Sequence, residues 1–500
     1  MSAATAYACL QERFTRLIRL AEATAFLDWD TAVMMPSGGA ASRAEQRATL
    51  QSLHHALLTA PEVETWLDEA LAVPPDDPWD AANLHEMRRQ WIHATAVPSD
   101  LVEARARVES LCEMCWRDAR RTADFSQVAP RLAEVVALVR QTAQATGERL
   151  QCSPYEALLN QYEPDGRIER IDALFAELET FLPTVLEAVL ARQQKRNNQP
   201  RPPAGPFPVD RQRALGVQLM AILGFLFDHG RLDVSHHPFC GGTCDDVRIT
   251  TCYDPDDFTS ALMGILHETG HALYERGLPE VWRWQPVGRA RSMSLHESQS
   301  LLIEMQAGRS REFITYAAPL IRAAFEGDGP VWETDNLYRY YTLVEPGFIR
   351  IKADEVTYPA HIILRTQLEQ ALVTGALEVV DLPMAWNEAM TRLLGLTPPD
   401  DRSGCLQDIH WYAGSFGYFP TYTLGAMTAA QLFDAACRAE ATLLPGLARG
   451  DFAPLYAWLQ THVHKKGASL RADALLTAAT GRPLEVTAFK THLRRRYMEG

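Results

Sequence analysis

The sequence has no long apolar run and no excess of positive charge. Nowhere do about 18 apolar residues follow one another, and Met1 to Arg13 contains no apolar core behind a basic start. The 48 Lys and Arg residues against 63 Asp and Glu residues give a formal net charge of −15 at pH 7. Because no global positive field draws the chain to phosphates or anionic lipid, we expect neither nucleic-acid nor membrane partners.

Cysteine shows no pairing pattern. The nine cysteines are an odd number, are scattered along the chain and lie mostly in apolar helical contexts. This distribution suits reduced thiols better than a disulfide framework. We therefore expect a soluble, cytoplasmic protein.

Most of the chain has helical periodicity. The 500 residues, 47% of them hydrophobic, are enough to bury a large core without disulfide or metal staples. Apolar residues recur at three- and four-residue steps, as in Leu10, Phe14 and Leu17. β-branched and aromatic residues from Val247 to Tyr253 predict one small sheet. The expected fold class is all-α, that is, mainly helical with one small β-sheet.

One proline-rich connector divides the chain. Residues Gln199 to Pro208 include five prolines, which interrupt helices. We expect a single domain, residues 1–500, with a helical N-terminal half at about 1–199 and a half that carries the chemical motifs at about 209–500.

The strongest chemical motif is H-E-x-x-H in a segment with helical periodicity, His267-Glu268-Thr-Gly-His271. Histidines four residues apart share a helix face, so both imidazoles can bind one Zn²⁺. Glu268 lies about 100° round the helix from His267, where it can reach a metal-bound water as a general base. Alternatively, two histidines flank a glutamate by chance. The apolar run before the motif argues against chance, because buried imidazoles need partners.

A catalytic zinc usually takes three protein ligands, so one more must come from elsewhere. His296 and Glu297 follow His271 by 25 and 26 positions and precede a helix-like pattern. Glutamate is the commoner third ligand from a following helix, which favours Glu297, but spacing alone leaves both residues open. The alternative for either one is a cap of that helix.

Further polar candidates lie near the C-terminal end. The segments Gly404–Trp411 and Gly417–Tyr422 contain His and Tyr side chains that could stabilise an oxyanion, or belong to core and loop structure. Arg248 and Arg350 could bind a carboxylate with two hydrogen bonds. A simple ion pair, such as Arg350 with Asp354 at i,i+4, is the alternative.

Together these residues closely resemble the carboxypeptidase Taq family of zinc metallocarboxypeptidases. The resemblance extends over residues 27–425 in seven blocks that stand in the same order as in the family. The blocks are Leu27-Asp-Trp29-Asp30-Thr with Met35-Pro36, His237-Pro238-Phe239, Asp246-x-Arg248-x-Thr250, His267-Glu268-x-x-His271, His296-Glu297-Ser-Gln-Ser, Ile349-Arg350-x-x-Ala353-Asp354 and Gly404-x-x-Gln407-Asp408-x-His410-Trp411.

This resemblance implies a helical fold with a deep active-site groove, a short sheet beside the site and a homodimer. It implies Glu297 as the third metal ligand, with Co²⁺ as a substitute for Zn²⁺. Arg248 and Arg350 would bind the C-terminal carboxylate of the substrate, and His410, Tyr422 and His237 would be further substrate-binding residues. The implied reaction removes single residues from peptide C-termini with broad side-chain tolerance and poor activity on proline.

Two other functions remain open at this point. A zinc endopeptidase or oligopeptidase could use the same metal centre without recognising a free carboxylate. A helical binding protein could retain an inactive site. Arg248 and Arg350 argue against the first, because an internal-bond protease does not need them, and the presence of Glu268 argues against the second.

Overall fold

The N-terminal part of the protein is built from helices alone. The computed structural model describes residues 2–195 and 199–499. The first eight α-helices are α1 (Ala3–Val33), α2 (Ala40–Leu58), α3 (Pro61–Ala72), α4 (Pro78–Thr95), α5 (Ser99–Thr122), α6 (Ala129–Leu150), α7 (Pro154–Leu159) and α8 (Ile168–Lys195). In α1, the predicted positions Leu10, Phe14 and Leu17 are buried and pack against α3 and α4.

The central part contains the predicted small sheet. Helix α9 (Val209–Leu223) leads into strands β1 (Gly230–Val234), β2 (Cys240–Thr243) and β3 (Asp246–Thr251), in the order β1-β3-β2. Strand β3 is parallel to β1 and antiparallel to β2. The β2–β3 turn requires glycine at position 242, where φ is +88° and a Cβ would lie 2.1 Å from a backbone oxygen.

Two helices that follow the sheet carry the main motifs. Helix α10 (Phe258–Gly277) packs against β3 and contains H-E-x-x-H. Helix α11 (Met293–Leu301) contains Glu297 and continues as a π-helical turn, Leu302–Gly308. The positions predicted to be helical around the motif are therefore confirmed.

Nine further helices complete the fold in the described residues. They are α12 (Arg311–Ala324), α13 (Thr334–Tyr341), α14 (Tyr358–Thr374), α15 (Leu382–Leu394), α16 (Pro420–Ala439), α17 (Leu443–Leu447), α18 (Ala453–His462), α19 (Ala472–Thr480) and α20 (Val486–Leu493). The mainly helical class with one small sheet is confirmed. Among the described residues, no helix combines the length and apolar character needed to span a bilayer.

A hydrophobic core links the two parts of the chain. The cluster that holds Val135 and Phe175 also holds Leu364, Trp411 and Phe489, which come from the other side of the proline-rich connector. A second cluster surrounds α10, α12 and α18. The division into a helical half and a motif-bearing half remains a prediction.

Candidate metal centre

Helix α10 presents its two motif histidines side by side. The helix begins at Asp257, whose carboxylate accepts a hydrogen bond of 2.8 Å from the Thr259 N–H. The rings of His267 and His271 are 4.9 Å apart between centroids. Most of α10 is buried, but the side chains of His267 and His271 stay 22% and 13% exposed, so both imidazoles are partly accessible from outside the core.

Glu297 comes close to both histidines because glycines let α10 and α16 pack closely against α11. A Cβ at Gly270 of α10 would lie 2.5 Å from a carbonyl oxygen of α11, and a Cβ at Gly425 of α16 would lie 3.0 Å from the Glu297 side chain. The Glu297 carboxylate is 3.4 Å from His271 Nε2 and 3.7 Å from His267 Nε2.

These three side chains form a group that fits a metal ion. One ligand atom from each lies within 4.8 Å of the others. Burial raises the pKa of Glu297, but His267 and His271 together lower it to about 2, so the group offers a carboxylate. Two imidazole nitrogens and one carboxylate oxygen are ligands that Zn²⁺ accepts, with a fourth position left open.

A carboxylate behind His267 orients its ring. Glu304 lies 3.0 Å from His267 Nδ1 and is itself bound by Arg309 at 2.7 Å. A hydrogen bond at Nδ1 directs Nε2 toward the ligand group, and such outer partners set the orientation of metal-binding histidines.

His296 lies beside the group but points elsewhere. Its Nε2 is 2.8 Å from Glu275 Oε1, and its ring stacks on that of His271 with centroids 4.5 Å apart. Of the two candidates for a third ligand, the structure therefore brings Glu297 into the group and pairs His296 with Glu275.

Glu268 is next to the group and is almost completely buried, with 6% of its surface exposed. Burial raises the pKa of Glu268 to about 7, an effect that the positive charge of His267 reduces and the negative charge of Glu297 increases. A carboxyl group with a pKa near neutrality can both accept and return a proton.

Arg350 lies in a buried pair rather than on the surface. Its Nε and Nη2 donate to one oxygen of Asp408 at 3.0 and 2.8 Å, and Arg365 binds the other oxygen at 2.6 Å. The i,i+4 pair with Asp354 does not form, because Asp354 accepts backbone N–H groups at the start of α14 instead. Arg350 lies with its guanidinium over the Tyr422 ring, 5.0 Å from the ring centroid.

His410 and Tyr422 lie in the same cluster as Arg350. The Tyr422 hydroxyl is 3.5 Å from His410 Nε2. Burial lowers the pKa of His410 to about 4, so its ring is neutral near pH 7. Burial also raises the pKa of Tyr422, and Tyr418 and the negative charge of Glu297 add to this effect, so the phenol stays a protonated donor near neutral pH. Tyr422 lies one helical turn before Gly425, the residue of α16 that packs against the Glu297 side chain.

Arg248 and His237 are placed apart from this cluster. Arg248 donates two hydrogen bonds to Asp246, at 2.9 and 2.5 Å, and lies over the rings of Phe26 and Trp29 in α1. His237 is exposed in the loop before β2. That loop packs on α10, since a Cβ at Gly264 would lie 3.7 Å from its proline.

Sequence reasoning missed several residues that hold the site. Glu304 and Arg309 follow Glu297 through a π-helical turn, so α-helical spacing does not predict their direction. Asp408 belongs to a quoted motif, but its bonds to Arg350 and Arg365 join parts of the chain 58 and 43 residues apart.

A mainly helical protein with a partly buried His-His-Glu group and an adjacent glutamate falls into the class of metal-dependent peptidases. Residues 9–497 match the sequence profile described as Carboxypeptidase Taq (M32) metallopeptidase, and the chain belongs to this family.

Similar proteins cover nearly the whole chain. Thermostable carboxypeptidase 1 of Thermus thermophilus is 37% identical over 99% of each chain, and carboxypeptidase 1 of Bacillus subtilis is 33% identical over 96% of each. The solved structure of Trypanosoma cruzi metallocarboxypeptidase 1 has a TM-score of 0.97 and 40% identity over 99% of each chain. The chain is thus a metallocarboxypeptidase, a metal-dependent hydrolase acting on peptide bonds.

Proposed function

We propose that this metallocarboxypeptidase is zinc-dependent and releases single amino acids from peptide C-termini, with broad side-chain tolerance and poor activity on proline. Peptides with a free C-terminus are its substrates. The observation that carries the proposal is that Arg350 lies against Tyr422, which is one turn of α16 away from the residue that packs on Glu297.

His267, His271 and Glu297 are the proposed ligands. Their donor atoms suit Zn²⁺, and Co²⁺ is the proposed substitute. Bound zinc would act as a Lewis acid that polarises the scissile carbonyl and lowers the pKa of a coordinated water.

Glu268 is the proposed general base. Its buried carboxylate accepts the proton of the attacking water and returns it to the leaving amine, because a pKa raised to about 7 keeps both steps accessible near neutral pH. Tyr422 remains protonated and donates a hydrogen bond to the carbonyl oxygen as negative charge develops there. Neutral His410, 3.5 Å away, orients the hydroxyl of Tyr422.

Arg350 is the proposed partner of the substrate carboxylate. Asp408 holds its Nε and Nη2, so the guanidinium is fixed and Nη1 remains for a second partner. In the structure that partner is the Tyr358 hydroxyl at 3.5 Å, a long hydrogen bond that a carboxylate can replace. Arg248 contributes from β3, where the substrate carboxylate replaces Asp246 as its partner, and His237 contributes from the loop before β2.

Mass spectrometry of one N-blocked peptide, offered as free acid and as amide with and without added zinc, tests this function. The expected result is zinc-dependent stepwise loss of C-terminal residues from the acid only. Glu268→Ala should abolish turnover while zinc stays bound, whereas Glu280→Ala, at an exposed glutamate, should not. Cleavage of acid and amide at internal bonds would instead identify an endopeptidase.

Arg350→Ala should raise KM for the free acid more than it lowers kcat, because the side chain binds the carboxylate and not the reacting carbonyl. Arg117→Ala, at a side chain 60% exposed, is the matched control. An unchanged kcat/KM in Arg350→Ala would remove this residue from the proposal.

The homodimer is also proposed, on the family resemblance, and so is a cytoplasmic location, on the scattered, odd-numbered cysteines. Light scattering of the purified protein tests the first, and fractionation of the source cells tests the second.

A further inference from the structure

A second cavity lies next to the helices that carry the metal-binding group. Its volume is about 260 Å³, and it is walled by the α7–α8 loop, the start of α11, the middle of α16 and the start of α19. None of the residues assigned to the metal centre lines it. On α16 the cavity contacts Leu424, which lies about 200° round the helix from Tyr422. A cavity below about 300 Å³ accommodates a molecule the size of one amino acid rather than a peptide.

One wall of this cavity carries a buried carboxyl group that lacks a full set of partners. Glu163 is 6% exposed, and its Oε2 accepts no hydrogen bond. Burial raises the pKa of this carboxyl group, and Ser292 and Ser294 at the start of α11, together with the positive charge of Arg291, offset part of that increase. The unpaired oxygen requires a donor, and a cationic donor compensates a buried carboxylate best.

Other walls supply the opposite charge and an apolar surface. Among the described residues, the ion pairs of Arg167 and Arg471 are long, 3.7 Å to Glu156 and 3.5 Å to Asp165, and their side chains are 67% and 71% exposed. Such exposed pairs contribute little and exchange partners readily. The apolar lining consists of Ile171, Leu174, Leu295, Leu424, Leu476 and Leu484.

We propose that this cavity binds a free α-amino acid with an apolar side chain. Glu163 binds its ammonium group, the arginines bind its carboxylate, and the leucines contact its side chain. The arrangement matches a zwitterion, since Glu163 offers a partner for an ammonium group, and Arg167 and Arg471 offer partners for a carboxylate. The inference rests on the cavity itself and does not depend on the proposed zinc site or specificity.

Calorimetric titration with leucine tests the proposal in the metal-loaded Arg350→Ala protein, where the substrate groove has lost its carboxylate partner. We expect one leucine per chain, with leucinamide and N-acetyl-leucine bound about 10- to 100-fold more weakly because each lacks one charge. Adding Glu163→Gln to this protein should weaken the binding of leucine by a similar factor. Adding Glu169→Gln, at a neighbouring exposed glutamate outside the cavity, should leave it unchanged.

A second variant and a second measurement guard against a folding defect. Leu174→Trp fills the cavity without changing charge and should also prevent binding. In the wild-type enzyme, leucine should slow hydrogen exchange of residues 163–171 and 471–476. Absence of leucine binding in Arg350→Ala, equal binding of the three ligands, or binding that survives Glu163→Gln and Leu174→Trp would each overturn the proposal.

Discussion

Replacing Asp408 by Asn should destabilise the protein and weaken substrate binding together. Asp408 lies between Arg350 and Arg365, which are 7% and 0% exposed, and accepts two hydrogen bonds from the first. The two guanidiniums hold the pKa of this carboxyl well below its ordinary value, despite a burial that would raise it. His361 adds no charge, because burial and Arg365 lower its pKa to about 3.

We expect Asp408→Asn to lower the free energy of unfolding by about 3 kcal/mol. Removing one partner of a buried ion pair costs about 3–5 kcal/mol, and the lower end applies because the amide oxygen of Asn still accepts a hydrogen bond. The folded-state pKa is depressed, so this contribution is fully present above the unfolded value of about 3.9 and is lost as pH falls toward the folded value. The difference between wild type and Asp408→Asn should therefore be constant from about pH 5 to 8 and shrink below about pH 4.

Equilibrium unfolding in guanidinium chloride, followed by near-UV circular dichroism at several pH values, measures this difference. Asp118→Asn is the control, since Asp118 pairs with Arg121 at a site where both side chains are mostly exposed. KM for a peptide with a free C-terminus should rise in Asp408→Asn, because Arg350 loses its fixed orientation. A loss below about 1 kcal/mol, or a difference that persists at low pH, would refute the reasoning.

Three further changes test the outer parts of the site. Glu304→Gln should lower zinc affinity about 10- to 100-fold, measured by competition with a chelator, and unchanged affinity would contradict its role in orienting the metal-binding imidazole. Gly270→Ala places a Cβ 2.5 Å from a carbonyl oxygen of α11, so it should weaken metal binding and lower the free energy of unfolding by about 1–3 kcal/mol. Gly264→Ala, where the nearest atom is 3.7 Å from the new Cβ, should be tolerated. Burial raises the pKa of Glu369 from 4.5 to about 7, so between these pH values the folded state binds the extra proton. The wild-type free energy of unfolding should therefore fall by about 3 kcal/mol relative to Glu369→Gln as pH rises through this range, and a pH-independent difference would contradict the assignment.

Patterns within single elements were predictable from the sequence. The steps between Leu10, Phe14 and Leu17 predict one buried face, and α1 buries it. The β-branched run after Asp246 predicts a strand, and β3 covers Asp246–Thr251. These patterns depend on 3.6- and 2-residue periods that each element imposes locally. The family resemblance likewise rests on motifs that are contiguous in the chain, and the comparisons confirm it.

Contacts between distant elements were not predictable in the same way. Spacing left an i,i+4 pair of Arg350 with Asp354 open, yet Arg350–Lys352 is a 3₁₀ turn and its charge partner is Asp408. In a single 3₁₀ turn, residues four apart do not lie on one helix face, so the i,i+4 spacing rule does not apply here. The pairing is set by the packing of α14 on the loop that holds Asp408, which the local sequence does not encode.

The candidate metal-binding group shows how both kinds of information combine. H-E-x-x-H places His267 and His271 on one face, but the third side chain reaches them only if α11 lies almost in backbone contact with α10. Gly270 permits that approach, and Gly425 permits α16 to pack on the other side of Glu297, because a Cβ at either position would meet α11 at 3.0 Å or less. The histidine spacing therefore indicates the chemistry, whereas two glycines without reactive groups determine whether Glu297 can complete the site.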